Sequence, residues 1–220
     1  MTPPRASQHL TTPPAPAPAP DELRGQFPQI TVRAGVPLFR TRSAKLNPWW
    51  FGTSLDNRFD LPGTAGTCYV AESELLGLLE AWSGIRIIAR ADAAVRAIST
   101  LSVSRDLIVA DTTANAAIRF GVTAEISTTV DYALTQQWAA PLQDAGYHGI
   151  RYWARHELSH TSASIALFDS AGDQTDSPLR PTVYGVARTD CLIDRDDLLT
   201  DLQVNAGITV MAPPSTLGPS

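Results

Sequence analysis

The chain has 220 residues, 44 % of them hydrophobic, and a formal net charge of −5. This length suits one domain with tails, and the negative balance argues against direct binding of nucleic acid, which needs a basic face. The sequence contains no run of about 18 apolar residues, so we expect no membrane-spanning helix. It also lacks the apolar core of a signal peptide near its N-terminus, so we expect a cytoplasmic protein. The two cysteines, Cys68 and Cys191, lie far apart in the sequence, which argues against a disulfide framework or a cysteine-built zinc site.

Both ends of the chain have the composition of tails. Residues 1–26 are rich in proline and alanine, and residues 212–220 read APPSTLGPS. Such segments bury too little apolar area to offset the loss of chain entropy on folding. The sequence therefore predicts disordered tails over 1–26 and 212–220 and a single folded domain over 27–211.

Strand and helix signals alternate along this domain. Strand patterns occur over 29–33, 36–41, 67–71, 98–103, 107–110, 149–153, 164–168 and 182–188. Helix patterns occur over 72–82, where Ser73 can cap the first turn, over 131–145, where Gly146 is a plausible stop, and over 194–202. The pattern predicts an α+β fold, a compact single domain with central mixed or antiparallel sheets flanked by helices.

An ordered set of motifs lies in the first half. Arg58 stands in the turn-like segment NRFDLPG, Tyr69 follows after 11 residues in the strand TCYVA, and Glu80 follows after 11 more at the end of a helix. This order resembles the RES family, which is named for its Arg, Glu and Ser. LFR at 38–40, GIRY at 149–152 and IALFD at 165–169 resemble the family's opening and closing strands, so the similarity spans roughly residues 37–169.

The resemblance implies an enzyme that degrades NAD⁺ at the nicotinamide–ribose bond, as a glycohydrolase or phosphorylase, with a layout similar to ADP-ribosyltransferases. It implies the toxin of a toxin–antitoxin pair, neutralised by a small helix-turn-helix protein. NAD⁺ is the substrate and no cofactor is required; a homo-oligomer is left open. The acceptor is water, phosphate or a protein side chain. The implied catalytic residues are Arg58, Tyr69 and Glu80, and the implied NAD⁺-binding residues are Arg40, Arg58, Tyr69 and Arg155.

Elementary chemistry assigns compatible roles to these residues. Loss of neutral nicotinamide leaves an oxocarbenium-like sugar, which the Glu80 carboxylate would stabilise. Arg58 would bind the pyrophosphate, and Tyr69 would stack on the nicotinamide ring. Each residue also has a purely structural interpretation: Arg58 in a surface turn, Tyr69 in the core and Glu80 in solvent. Arg40 either binds phosphate or pairs with an acidic residue.

One position departs from the family pattern. After GIRY the family often has a serine, and by spacing that position is Ala154. Either another hydroxyl takes the place of the serine, or the site lacks this hydroxyl. The candidate hydroxyls belong to Thr135, Ser159, Thr161, Ser162 and Ser164. A catalytically inactive RES fold that serves as a binding module therefore remains an alternative.

A second motif suggests different chemistry. His156, Glu157 and His160 form an HExxH match, the zinc-binding pattern of metallopeptidases. The motif needs a helix and a third ligand, yet it lies between two closely spaced strand signals, and only an aspartate such as Asp169 or Asp173 follows as a ligand. A zinc-dependent hydrolase is kept as an alternative; we favour a polar loop beside the NAD⁺ pocket, where Arg155 or His156 contacts ligand.

Overall fold

The computed structural model describes residues 16–82 and 84–211. The strands are β1 (Gln29–Val32), β2 (Leu38–Ser43), β3 (Trp50–Phe51), β4 (Ala65–Ala71), β5 (Ile87–Ala89), β6 (Arg96–Val103), β7 (Leu107–Asp111), β8 (Gly149–Tyr152), β9 (Ser164–Ser170), β10 (Gly172–Asp173), β11 (Tyr184–Cys191) and β12 (Thr209–Met211). The α-helices are α1 (Pro20–Leu23), α2 (Glu74–Ala81), α3 (Arg90–Ala94), α4 (Glu125–Thr128), α5 (Tyr132–Asp144) and α6 (Asp196–Ala206). Short 3₁₀ helices cover Asn115–Phe120 and Leu192–Asp194.

Eight of these strands form one large sheet in the order β1-β7-β8-β9-β4-β2-β6-β11. Neighbours are antiparallel except for β7 and β8, which are parallel. Two small sheets, β3 with β10 and β5 with β12, lie beside it. The prediction of a single α+β domain with a large mixed sheet flanked by helices is therefore confirmed.

The side chains of the central strand β4 alternate between the two faces of the sheet. Successive side chains of a strand point to opposite faces. Tyr69 accordingly packs with a cluster that includes Trp138 of α5, whereas Cys68 and Val70 pack with a cluster that includes Trp49. The α5 face is the one that carries the functional site.

Helix α2 crosses the end of this face. Ser73 caps it, accepting a hydrogen bond from the backbone N–H of Leu76 at 3.3 Å. Gly77 faces β2, and a Cβ there would make an ordinary contact with the carbonyl oxygen of Phe39, at 3.7 Å. Leu78 and Leu79 face a third cluster, formed with α3 and α6. This packing leaves Glu80 over the sheet. In the described part of the chain, every helix is too short or too polar to cross a membrane.

The N-terminal boundary differs from the prediction. Pro20–Leu23 is helical, and Leu23 and Phe27 are 0 % and 2 % exposed. The Tyr147 hydroxyl, buried beside them, lies 3.1 Å from the Leu23 carbonyl oxygen and 3.2 Å from that of Phe27. The prediction of disorder is wrong for residues 20–26. The high proline and alanine content of the predicted tail indicated disorder, but the buried side chains of Leu23 and Phe27 anchor this part of it to the domain. Residues 1–15 and 212–220 lie outside the described residues.

Candidate active site

A cavity of about 280 Å³ opens on the α5 face of the sheet, where β2 and β4 meet α2. Its walls come from these elements, from the start of α5 and from the loops around residues 57 and 155. The lining residues are Phe39, Arg40, Thr41, Asn57, Arg58, Tyr69, Val70, Ala71, Gly77, Glu80, Ala81, Tyr132, Tyr152, Arg155 and His156. The structure thus brings Arg58, Tyr69, Glu80 and Arg155 to one cavity, which we call the cleft.

The loop that carries Arg58 is fixed by side chains from several elements. The Thr135 hydroxyl of α5, fully buried, donates to the carbonyl of Arg58. The Thr67 hydroxyl of β4 donates to the carbonyl of Phe59 at 2.9 Å. The Gln136 amide donates at 2.8 Å to the Leu55 and Asn57 carbonyls. Because these donors sit on regular elements, the backbone of Arg58 is held before any ligand arrives.

The Arg58 guanidinium is only 7 % exposed. Its Nη1 donates to the carbonyl of Ile126 at 3.0 Å, and its plane lies over the Tyr132 ring, 5.2 Å from the centroid. Within residues 16–82 and 84–211, its remaining N–H groups make no hydrogen bond. A partly satisfied, partly buried guanidinium at a cavity wall is suited to bind an anionic oxygen.

The Tyr69 hydroxyl is fully occupied by the protein. It accepts from the backbone N–H of Phe59 at 2.8 Å and donates to Asp60 Oδ1 at 2.9 Å. Burial, together with the negative charge of Asp60, holds the pKa of Tyr69 well above its ordinary value. Tyr69 is therefore a neutral wall of the cleft, whose ring is available to a ligand while its hydroxyl anchors the Arg58 loop.

Glu80 is the carboxylate of the cleft. The Tyr152 hydroxyl donates to its Oε2 at 2.8 Å. Burial raises the pKa of Glu80, while the Tyr152 hydrogen bond and the positive charge of Arg58 act in the opposite direction. A partly buried carboxylate whose pKa is raised, at the wall of a cavity, is a candidate catalytic group.

Arg40 also lines the cleft, but part of its guanidinium is held by the protein. Its Nη1 donates to the carbonyls of Pro48 and Trp50, at 2.8 and 3.0 Å, and contacts Cys68 Sγ at 2.8 Å. Cys68 belongs to the opposite face of the sheet from Tyr69. Arg40 therefore has a structural role, and its binding of NAD⁺ stays a prediction.

The HExxH segment is not a helix. Residues 155–160 form turns and irregular loop, and His160 has a positive φ of 53°. His156 lines the cleft, whereas His160 stacks on Trp153, with centroids 4.9 Å apart, at another cavity. Among the described residues, no group of three His, Cys, Asp or Glu side chains could hold a metal. The two histidines therefore lack the helical spacing that the zinc alternative requires.

Arg155 and His156 line the cleft from the loop that follows β8. Arg155 is exposed and His156 is partly buried. Burial, followed by the positive charges of Arg155 and Arg58, lowers the pKa of His156. This part of the cleft is therefore electropositive through its arginines and carries a neutral imidazole at pH 7.

The position of the family serine adjoins the cleft wall, since Ala71, which lines the cleft, packs against Ala154. Ala154 is 2 % exposed and packs with Ala71 and Leu76 in a small apolar cluster. Of the candidate substitute hydroxyls, Thr135 holds the Arg58 carbonyl and Ser164 is buried in β9. The remaining three, Ser159, Thr161 and Ser162, line a second cavity.

Three cleft residues were missed at the level of sequence: Asn57, Tyr132 and Tyr152. Tyr152 belongs to the GIRY strand, and its inward position made it look like a core residue. The only sequence signal for it was a polar hydroxyl at a buried strand position, which requires a partner. That partner, Glu80, lies 72 residues away in sequence.

The comparisons with known proteins agree with this architecture. A model of the RES domain matches residues 37–186. The chain belongs to the RES family. No curated protein matches it. Among solved structures, a similar chain occurs in the crystal structure of the M. tuberculosis MbcT–MbcA toxin–antitoxin complex, with 16 % identity, a TM-score of 0.56, and coverage of 78 % of this chain and 90 % of that one. At this identity the likeness establishes a shared RES fold.

Proposed function

We propose that this RES protein cleaves the nicotinamide–ribose bond of NAD⁺ and acts as the toxin of a toxin–antitoxin pair. The observation that carries the reaction is the Glu80 carboxylate, partly buried in a cleft between a tyrosine hydroxyl and the charge of Arg58. Membership of the RES family and the fold shared with a chain of the MbcT–MbcA complex support the toxin role.

In this reaction the C–N bond breaks and its electron pair passes to the pyridine nitrogen, so that neutral nicotinamide leaves. The sugar becomes oxocarbenium-like, and a fixed carboxylate stabilises the developing positive charge. Glu80 fills this role, since Tyr152 holds its Oε2 in place. An acceptor oxygen then bonds to the sugar carbon: water or a protein hydroxyl releases its proton to solvent, whereas phosphate attacks through an oxygen that is already ionised.

The binding roles follow from the same geometry. Arg58 has N–H groups free for the phosphate next to the nicotinamide ribose, and Arg155 also lines the cleft. The Tyr69 ring forms a wall on which the pyridinium can stack. Ala154 cannot supply the family's hydroxyl, so the proposed reaction rests on Glu80 and Arg58, and a catalytically inactive binding module is the second candidate.

The first prediction tests the reaction directly. Purified protein in EDTA should release nicotinamide from NAD⁺, and Glu80→Gln should lower kcat by about 10²–10³, as loss of one preorganised electrostatic group does. Arg58→Ala should raise KM as well as lower kcat, because it removes ground-state binding. Glu74→Gln is the matched control, since Glu74 lies on the same helix and pairs with Arg195 outside the cleft.

A folded Glu80→Gln variant with near-normal kcat would refute this site. Activity that EDTA abolishes and zinc restores would favour the metal-dependent alternative. The toxin role has its own test: expression of the wild-type chain should stop bacterial growth and deplete NAD⁺, the Glu80→Gln variant should not, and a small helix-turn-helix partner should restore growth.

A further inference from the structure

A second cavity, of about 640 Å³, adjoins the cleft at His156, which lines both. It lies between another side of α2, the loop after residue 156, the turn before β5 and the end of α6. The lining residues are Ser73, Leu75, Leu76, Leu79, Gly84, Ile85, Arg86, His156, Glu157, Leu158, Ser159, Thr161, Ser162, Asn205, Ala206 and Ile208.

The cleft is small for a whole dinucleotide. Small-molecule sites span about 300–1,000 Å³ and enclose most of their ligand. The cleft, at about 280 Å³, lies just below this range. The proposed role of Glu80 places the nicotinamide riboside in the cleft, and the second cavity, which shares His156 with it, is the adjoining space for the adenosine half.

The second cavity has the chemistry that adenosine needs. Leu75 and Leu79 offer an apolar surface to the base. The Asn205 Nδ2 donates to Asp201, which leaves its second N–H and its Oδ1 for the acceptor and donor on the adenine edge. Glu157 Oε1 accepts from the backbone N–H of Ser159 at 3.2 Å, whereas its buried Oε2 has no hydrogen-bond partner in the described part of the chain. A buried acceptor without a donor is costly, and a side-chain rotation that turns Oε2 into the cavity would let it accept from a ribose hydroxyl, as the acidic residue of other dinucleotide sites does.

The junction between the cavities suits the linking pyrophosphate. Arg155 lines the cleft side, His156 lines both sides and Arg86 lines the second cavity. An anion at this junction would have arginine donors on both sides.

We propose that the second cavity binds the adenosine half of NAD⁺, with Glu157 accepting from the ribose hydroxyls and Asn205 contacting the adenine. This inference rests on the proposed function for its choice of ligand. It also gives a role to Glu157, the glutamate of the HExxH segment.

Asn205→Trp tests the proposal, because Asn205 is exposed on α6 and an indole there fills the cavity without entering the core. Gln203→Trp is the matched control on the same helix, outside the cavity. KM is measured for NAD⁺ and for nicotinamide mononucleotide, which lacks the adenosine half. Asn205→Trp should raise KM for NAD⁺ by roughly tenfold, the loss of one good contact, and leave that for the mononucleotide unchanged. Glu157→Gln, a smaller change, should act in the same direction.

AMP binding, followed by calorimetry, needs no turnover. Wild type and Gln203→Trp should bind AMP, and Asn205→Trp should bind it about tenfold more weakly. Equal KM changes for both substrates, or AMP binding that neither cavity variant alters, would overturn the adenosine site. Absence of nicotinamide release by the wild type would instead refute the proposed function, and AMP binding would still decide the site.

Discussion

At the scale of single residues, the state of Glu80 is a balance of three effects. Burial raises the pKa of its carboxyl group, and the Tyr152 hydrogen bond and the Arg58 charge lower it. The reaction needs the ionised form, so activity should fall as the pH drops through a pKa that lies above the ordinary glutamate value. The Tyr152 hydroxyl is neutral, because burial holds its own pKa well above the usual one, and it donates throughout this range.

Tyr152→Phe should therefore move the acid limb of the kcat profile to higher pH. The variant keeps the ring packed against Phe59, at a centroid distance of 5.0 Å, and removes only the donor. A hydrogen bond to a charged group contributes about 1.5 kcal/mol or more, so the shift should be roughly one pH unit. Tyr184→Phe is the control, since its hydroxyl donates to Asp169 at 2.6 Å, outside the cleft. If Tyr152→Phe lowers kcat but leaves the acid limb unchanged, the Tyr152 hydroxyl does not control the pKa of Glu80.

Sequence spacing identified some residues of the cleft but could not define the roles of others. Arg58, Tyr69 and Glu80 could be selected because their order and spacing resemble a family pattern. Arg40 could not be judged in this way, since its carbonyl partners at Pro48 and Trp50 belong to an irregular segment whose path only the fold defines. Tyr152 was missed because its partner becomes adjacent only when α2 packs over the sheet.

At the scale of elements, α5 positions the Arg58 loop. Thr135, in its first turns, is fully buried and donates to the Arg58 carbonyl, while Tyr132 lies under the guanidinium. The helix pattern over 131–145 predicted this element to within one residue at each end of the observed Tyr132–Asp144. It could not reveal the Thr135 contact, because a threonine inside a helix usually bonds within its own helix.

Thr135→Val should weaken NAD⁺ binding. Valine keeps the shape, and the unpaired Arg58 carbonyl should release the loop. We expect KM to rise by roughly fivefold, equivalent to about 1 kcal/mol, with a smaller change in kcat because Glu80 is held by other contacts. Thr128→Val is the control, since its hydroxyl donates to the Ala124 carbonyl at an exposed position. Equal loss of stability in both variants with unchanged KM would show that Thr135 serves the fold alone.

Regular elements were easier to predict than short ones. The main strands and helices α2, α5 and α6 carry clear hydrophobic periodicity, and their predicted positions agree with the observed ones to within a few residues. The small pair of β5 with β12 has no such signal, because each strand has three residues and forms only by pairing across 122 positions of sequence. Long-range pairing of this kind is determined by packing and not by local propensity.

At the scale of the whole molecule, the N-terminal segment closes the functional face. Leu23 and Phe27 belong to the same cluster as Trp138 of α5 and Tyr152 of β8. The Phe27 ring lies 6.2 Å from that of Trp138 and 6.4 Å from that of Tyr147. The cluster that supports the cleft therefore depends on a segment that precedes the first strand and lies outside the matched RES region of 37–186.

Leu23→Ala tests this dependence. Truncation of a fully buried leucine typically costs about 2–5 kcal/mol, through lost transfer free energy and the cavity left behind. For a chain of this size, the melting temperature should fall by roughly 5–15 °C. Leu179→Ala removes the same atoms from a side chain that is 98 % exposed and should leave the melting temperature nearly unchanged. If both variants melt like the wild type, the segment before β1 does not stabilise the domain. The folded domain would then begin near residue 27, as the sequence predicted.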